Sequence, residues 1–182
     1  NRAHLSRSPR FWRDERLPFI EARTIDDGRK VTYTRHAHEH FSIGAVTTGR
    51  SYYHYGVDTF EISAGTVVLM NPGDVHACNP IANEPWSYQM VYLDTPWLTD
   101  LQHQLGFSAD QGYRPFNTPY TQDPVLYQGL LALYRILVDE QAEHLKKQSA
   151  LVSYFSEVQQ RLNPSHTPLR EVNQWLERAA EY

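Results

Sequence analysis

The feature that most constrains the fold is a series of short strand candidates separated by turn-forming residues. Turn signals recur in the first half of the chain as DDG at 26–28, TTG at 47–49, YGVD at 55–58, SAG at 63–65 and NPGD at 71–74. The strand candidates between them span 18–23, 30–35, 40–46, 51–55, 59–62, 66–70 and 86–94. Short strands at such regular spacing are typical of an all-β barrel or sandwich.

The second half of the chain predicts helices. Thr95 is a candidate N-cap with Pro96 at the first helical position and Gly106 as the stop, and Asp123 with Pro124 repeats this start. Two apolar stripes at helical spacing follow, formed by Leu126, Leu130, Leu133, Tyr134 and Leu137, and by Leu151, Phe155, Val158 and Leu162. Such stripes indicate either a helix pair folded onto the barrel or a helical dimer interface, and the pattern leaves both open.

Composition and charge exclude several classes of protein. The net charge of −4 and the pI of about 6.1 argue against a nucleic-acid-binding surface in this chain. The single cysteine, Cys78, excludes an internal disulfide framework and fits a reducing cytosol. No apolar run approaches the length needed to span a bilayer, so no membrane partner is expected. Because the sequence starts at Asn1 and stops inside a helical pattern, we expect a fragment of a longer protein.

Two histidine motifs carry the candidate chemistry. HAHEHFSIGAVTTG contains His36, His38 and His40 at alternate positions, and GTVVLMNPGDVH ends at His76. Alternate side chains of a strand point to one face, so these imidazoles would line one wall. Three histidines with an open coordination position suit a divalent metal such as Zn, Fe, Ni or Cu. His36, His38 and His76 are therefore candidate metal ligands, candidate contacts to a small polar molecule, or structural residues.

Aromatic residues supply a second set of pocket candidates. Trp86, Tyr88, Met90 and Tyr92 alternate along one strand, so they form either a pocket wall or ordinary core. Tyr52 and Tyr53 point to opposite faces, so one of them faces inward, and we selected Tyr52 as the candidate. Asp74 is expected to cap the backbone of its turn rather than to serve as a site carboxylate. Residues 1–16 are either an arm that closes over a pocket with Phe11 and Trp12 or a disordered tail.

The two histidine motifs resemble the paired motifs of the cupin superfamily. His36, His38 and Gly49 fit the first cupin motif, and Gly65, Gly73 and His76 fit the second, with Pro72 displaced by one position. The position of the cupin glutamate falls on Ser42, which departs from the pattern and removes the anionic metal ligand. The resemblance implies a cupin-like β-barrel of the double-stranded β-helix or jelly-roll type, followed here by helices.

The chain also resembles, more specifically, the effector-binding domain of bacterial AraC/XylS-type transcription regulators. The matching stretches are FIEAR, RHAHEHFSIGAVTTG, AGTVVLMNPGDVHACNP and PWSYQMVYLD. The resemblance implies an arm over residues 1–16, an effector-binding barrel over 17–122 and a helical segment over 123–162 that mediates homodimerisation. It further implies a linker over 163–168 and, over 169–182, the first helix of a truncated helix-turn-helix domain, through which alone DNA would be bound.

Two functions follow as expectations. The first is a cytoplasmic sensor without catalytic residues or a cofactor, in which a small-molecule effector contacts His36, His38, His76, Trp86, Tyr88 and Tyr52 and alters DNA binding. The second is a metal-dependent cupin enzyme, a dioxygenase or an isomerase, in which His36, His38 and His76 hold the metal. A dimerisation module with a vestigial pocket is a third option, and the identity of the effector is not encoded in any single residue.

Overall fold

Two antiparallel sheets and three helices make up the computed structural model, which describes residues 10–30, 36–37, 39–108 and 112–162. The strands, numbered in chain order, are β1 Arg10–Trp12, β2 Ile20–Ile25, β3 His36–Ala37, β4 Phe41–Thr48, β5 Arg50–Tyr55, β6 Asp58–Ser63, β7 Val67–Met70, β8 Val75–Pro80, β9 Ser87–Leu93 and β10 Tyr120–Thr121. The helices are α1 Thr95–Gln104, α2 Pro124–Val138 and α3 His144–Leu162, and Gly28–Lys30 form a short 3-10 turn.

The strands form a six-stranded sheet in the order β1-β2-β9-β4-β7-β10 and a four-stranded sheet in the order β3-β8-β5-β6. Neighbouring strands in sequence often lie in different sheets, and three of the crossings between the sheets use a turn with a positive-φ glycine: Gly49 after β4, Gly65 after β6 and Gly73 after β7. The fold is thus mainly β with C-terminal helices, and its two sheets form a cupin-like barrel, which confirms the predicted fold class.

Each face of the larger sheet packs against a different partner. On β4, Phe41, Ile43 and Ala45 belong to the hydrophobic core shared with the helices, whereas Val46 belongs to the core inside the barrel. This alternation follows from the two-residue period of a strand. Burial of each large apolar side chain stabilises the fold by about 1.5–3 kcal/mol relative to its exposure. One sheet therefore separates a helix-covered core from the barrel interior.

The helices start and pack largely as the sequence predicts. Asp123 caps α2, because its side chain accepts a hydrogen bond from the backbone N–H of Val125 and Pro124 follows at the first helical position. For α1 the predicted N-cap was wrong by one residue. Asp94 occupies the cap position without a side-chain bond, and the Thr95 hydroxyl donates instead to the Glu39 carbonyl at 3.0 Å.

Both apolar stripes are used within the chain. The stripe of α2 is buried in full, and Leu151, Phe155 and Val158 of α3 are buried with it against the outer face of the larger sheet. These stripes therefore form the junction between helices and barrel. Among the described residues, no helix combines the length and the apolar character needed to cross a bilayer.

Two described strands were not predicted. The segment Val75–Pro80 is not among the predicted strands, yet it forms β8 between β3 and β5. Arg10–Trp12 falls in the predicted arm but pairs with β2 as an edge strand. Residue 30, the first of the predicted strand over 30–35, belongs to the 3-10 turn. The rest of that predicted strand lies outside the described residues, as do the predicted linker and third helix over 163–182.

Candidate functional site: the cavity inside the barrel

A cavity lies between the inner faces of the two sheets. Its walls come from β4, β7 and β9 of the larger sheet and from β6 and β8 of the smaller one. The cavity volume is about 40 Å³, which is room for roughly three water molecules at about 10–15 Å³ each. Aliphatic and aromatic side chains dominate its lining, and His76 is its one described imidazole.

Aromatic residues at and just before the start of β9 form one wall of the cavity. Trp86 and Tyr88 are almost fully buried and stack with a centroid distance of 4.5 Å and an interplanar angle of 25°. Tyr92 extends the same face of the strand. The placement of Trp86 and Tyr88 at the cavity agrees with the prediction from their alternation. Their part in effector binding stays a prediction.

Glycines make room for the Trp86 side chain and backbone. A Cβ atom on Gly28 would lie 2.2 Å from the Trp86 ring, and one on Gly49 would lie 2.4 Å from the Pro85 carbonyl oxygen. Gly49 also has a φ of +72°, a left-handed conformation that other residues adopt at a cost. The TTG turn therefore fixes the backbone from which the aromatic wall projects.

His76 is the buried polar residue of the opposite wall. It lies on β8, is 4% exposed, and its Nδ1 is 3.1 Å from the Asp74 carbonyl oxygen. Because a carbonyl oxygen only accepts, Nδ1 carries the proton of this bond. In the neutral ring Nε2 is then an acceptor, which suits a hydroxyl or N–H donor.

The sulfur atoms of the chain all border this cavity. The sequence has two methionines and one cysteine, and Met70, Met90 and Cys78 are all lining residues. Burial raises the pKa of the Cys78 thiol to about 12, so this thiol stays protonated and is a poor nucleophile at neutral pH. The cavity therefore presents a soft, apolar surface around its aromatic wall.

The inner wall beside Tyr92 holds the residue that replaces the cupin glutamate. Ser42 is fully buried and lies opposite Tyr92 and Met70 in the sheet register, on the inner face of β4. Its hydroxyl has no hydrogen-bond partner in the described part of the structure. A neutral hydroxyl does not replace a carboxylate as a ligand for a divalent metal.

The described residues do not fit a metal centre. No group of three His, Cys, Asp or Glu side chains in the described part of the chain could hold an ion. His36 pairs with His76 across β3 and β8, but its side chain and the whole of His38 lie outside the described residues. The prediction that His36, His38 and His76 bind metal stays a prediction, and no step is assigned to a metal.

Two predicted positions differ in the structure. Tyr52 is 39% exposed on the outer face of β5, whereas Tyr53 is fully buried and donates to the Leu69 carbonyl, so the inward residue of the pair is Tyr53. His40, the third histidine of the first motif, is exposed. Asp74 does not cap its turn through its side chain; its carboxylate accepts a hydrogen bond from the Tyr55 hydroxyl.

The two aromatic residues of the predicted arm do not line the barrel cavity. Phe11 is 57% exposed and covers the Arg23 guanidinium at 4.2 Å, and Arg23 lies 5.4 Å from the Tyr92 ring on its other side. Trp12 packs against the helix-side core, with the Lys147 ammonium 5.3 Å from its ring. The hypothesis that these residues close the cavity is therefore not supported by their placement.

Comparison with known proteins identifies the family. The profile of the AraC-like ligand binding domain matches residues 19–157. The chain belongs to this family. No curated protein matches the sequence.

The solved structures that this chain matches include three described as cupin or cupin-like proteins. One is a Cupin 2 conserved barrel domain protein from Salinispora arenicola, with 23% identity, a TM-score of 0.39, and coverage of 47% of this chain and 74% of that chain. Another is a cupin-like protein from Thermotoga maritima, with 20% identity, a TM-score of 0.40, and coverage of 47% of this chain and 66% of that chain. A cupin protein from Bacteroides fragilis is 12% identical, with a TM-score of 0.37 and coverage of 42% of this chain and 66% of that chain.

Sequence reasoning missed or undervalued several lining residues. From the sequence, Cys78 was used only to exclude a disulfide framework, and Met70 was not singled out. Their strand parity was the available signal, because Cys78 is two residues from His76 on β8 and Met70 is two residues from Val68 on β7. Once one inward residue of a strand is known, its neighbours at alternate positions follow.

Proposed function

We propose that this chain is the effector-sensing and dimerisation domain of a bacterial AraC-type transcription regulator. A small molecule bound in the barrel cavity allosterically controls DNA binding by the helix-turn-helix domain of the full-length regulator in the cytoplasm. The observation that carries this proposal is an aromatic-walled cavity with one buried histidine between the two sheets of a domain of this family. The proposal assigns no catalytic step to the cavity.

An effector acts only if it binds two arrangements of the protein with different affinity. A hydrogen-bonded route is available to carry such a difference out of the cavity. His76 binds the Asp74 carbonyl, the Asp74 carboxylate accepts from Tyr55, and the Asn71 amide donates to the Tyr55 hydroxyl at 3.3 Å. Asn71 also binds both the N–H and the carbonyl of Phe116 at 2.8 Å. A shift of His76 would therefore reach the segment between α1 and α2.

The route continues from that segment into the helices. Gln102 on α1 is fully buried; its amide nitrogen donates to the Arg114 carbonyl at 2.8 Å, and its oxygen accepts from the Arg114 N–H at 2.9 Å. The same nitrogen lies 3.2 Å from the side-chain oxygen of Gln159 on α3. Gln102 therefore joins the segment that contacts the cavity network to the longest helix.

The Gln102 junction gives a prediction that separates binding from coupling. We expect Gln102→Leu to weaken the transcriptional response to an effector while its affinity for the domain changes less than about 3-fold, because Gln102 does not line the cavity. The lost buried bonds should also lower the free energy of unfolding by about 1–3 kcal/mol. Gln104→Leu, at an exposed site on the same helix, is the matched control. Equal responses of the two variants would remove Gln102 from the route.

Homodimerisation is proposed through the exposed side of the 123–162 segment. The stripes facing the barrel are already buried, so a partner must contact other residues. Leu145 and Val152 lie seven residues apart on α3 and are 69% and 44% exposed, and Val125 and Val138 are exposed on α2. Two residues at this spacing share one helix face. This shared apolar face supports a second copy of this chain as the partner of the surface.

The test of the proposed function compares two histidines in a reporter assay with the full-length regulator. We expect His76→Ala to raise the effector concentration for half-maximal response by about 10-fold, since a lost hydrogen bond in the cavity costs about 1.4 kcal/mol. His54→Ala is the control, because His54 lies on the smaller sheet outside the lining and contacts Thr59. An unchanged response in the His76 variant, with intact thermal melting, would remove the cavity from the effector site.

A further inference from the structure

We infer that the cavity takes a small, uncharged aromatic molecule with at most one hydrogen-bonding group, and that Met90 moves to admit it. This inference rests on the proposed function, because it names the chemical class of the effector for the same cavity. It depends on three properties of the described lining: its polarity, its soft aromatic surface and its limited volume.

The lining offers little to a charged or polyhydroxylated ligand. None of the described lining residues is Asp, Glu, Lys or Arg, and the side-chain polar groups are confined to His76, Cys78, Tyr88, Tyr92 and the Trp86 indole N–H. Burial of an ionised group or of a hydroxyl without a hydrogen-bond partner is unfavourable. A sugar or a carboxylate would therefore lose more free energy through desolvation in this cavity than its contacts with the lining would restore.

The surface of the cavity favours an aromatic ring over an aliphatic one. The stacked pair of Trp86 and Tyr88 offers π surface, and Met70, Met90 and Cys78 place polarizable sulfur around it. Sulfur–aromatic contacts and aromatic pairs both stabilise binding beyond the burial of apolar area. A planar aromatic ring makes both kinds of contact, whereas a saturated ring of the same size makes neither.

The volume makes Met90 the residue that determines ligand size. A cavity that binds benzene has a volume of about 150 Å³, so 40 Å³ is too small for a ring without movement of the wall. The Met90 sulfur lies above Gly44, where a Cβ atom would be only 2.0 Å from it. Methionine has three rotatable side-chain bonds and repacks at low cost. Displacement of Met90 from Gly44 therefore opens space beside the aromatic wall.

The surroundings of Tyr92 also disfavour anions. Tyr92 borders both the cavity and an open cleft of about 480 Å³ that is lined by Asp14, Glu15, Glu21 and Asp94, together with Arg13 and His40. Carboxylates outnumber cations in this lining, so its potential repels a negatively charged molecule. An uncharged ligand beside Tyr92 meets no such repulsion.

The test is calorimetry of the 182-residue chain with four probes: phenol, cyclohexanol, benzoate and glucose. Phenol and cyclohexanol differ in aromaticity, and phenol and benzoate differ in charge at neutral pH. We expect phenol to bind about 5-fold more tightly than cyclohexanol, as about 1 kcal/mol of aromatic contact requires. Benzoate and glucose should give no binding at the same concentrations. Tighter binding of benzoate or glucose, or equal binding of the two ring alcohols, would overturn the inferred class.

The role of Met90 is tested with a larger probe, 1-naphthol. We expect Met90→Ala to bind 1-naphthol at least 10-fold more tightly than the unchanged chain does, because three side-chain atoms leave the cavity. Met90→Leu, which keeps the volume but loses the flexible thioether, should bind phenol more weakly and serves if the alanine variant unfolds. If the unchanged chain binds 1-naphthol as tightly as Met90→Ala does, the role of Met90 is overturned. If phenol binds to none of the unchanged chain, Met90→Ala and Met90→Leu, the inferred ligand class is overturned.

These outcomes are distinguishable from failure of the proposed function. Phenol binding in calorimetry supports the inferred class even when a reporter with the full-length regulator does not respond, and that silent reporter counts against the sensor. A reporter that responds to benzoate or glucose but not to phenol supports the sensor and overturns the inferred class.

Discussion

Phe155→Ala should lower the free energy of unfolding by about 3–5 kcal/mol, the largest effect expected of a single substitution in this chain. Phe155 is fully buried on α3 and sits between helix and barrel. Its ring meets those of Phe41 at 6.3 Å, Trp97 at 6.1 Å and Tyr154 at 5.3 Å, with interplanar angles of 73–79°. Removal of the ring leaves a cavity at the point where α1, α3 and β4 converge.

Urea denaturation followed by circular dichroism measures this effect. Ser153→Ala, at an exposed site two residues earlier on α3, is the control and should change stability by no more than about 0.5 kcal/mol. A loss below about 1 kcal/mol for Phe155→Ala would mean that α3 does not pack on the barrel in solution.

Gly49→Ala should lower the free energy of unfolding by about 2–4 kcal/mol and weaken ligand binding in the cavity as well. The left-handed conformation at φ +72° costs an alanine about 1–2 kcal/mol. The added Cβ would also lie 2.4 Å from the Pro85 carbonyl and 2.9 Å from the Trp86 backbone, and neither can rotate away. Overpacking of this kind costs a further 1–3 kcal/mol or so, and it displaces the residue that begins the aromatic wall.

Gly65→Ala separates the cost of the left-handed backbone from the cost of overpacking. Gly65 has a φ of +97°, and a Cβ atom there would meet nothing within 4 Å. This control therefore carries the backbone cost of about 1–2 kcal/mol alone and should leave ligand affinity unchanged. Thermal melting and calorimetry of both variants measure the difference. Equal destabilisation of the two variants, with equal affinity, would show that Gly49 does not fix the position of Trp86.

The barrel was predictable because its turns use residues with strong local preferences. TTG ends β4 at a left-handed glycine, and NPGD precedes β8 with Gly73 at a φ of +82°. β8 itself was missed because Asn79 and Pro80 have low strand propensity, and its pairing with β3 and β5 supplies what the local sequence lacks. Strand pairing is a non-local property, so local patterns determine it poorly.

The site was partly predictable for a related reason. Alternation shows which residues of a strand share a face, and it correctly groups Trp86, Tyr88 and Tyr92. It does not show which face is inside, so the choice between Tyr52 and Tyr53 required the neighbouring strands. The contacts of Asn71 and Gln102 join residues more than ten positions apart, and no periodic pattern encodes them.

The choice between sensor and enzyme depends in part on Ser42. A carboxylate at this position would add a charged group to the inner face that holds His76, whereas the serine leaves a neutral hydroxyl between Tyr92 and Met70. The apolar lining around it suits retention of a small molecule better than stabilisation of charge in a transition state.

The two methionine methyl groups test the central claim that the barrel cavity is the effector site. Met70 and Met90 are the only methionines of the chain and both line the cavity, so a spectrum of chain labelled with ¹³C-methyl methionine contains one signal from each. The measurement is a titration with phenol, and with any compound that changes the response of the full-length regulator. The account predicts that both signals shift and saturate together with calorimetric binding. A compound that binds and changes the response while both methyl signals stay unshifted would contradict it.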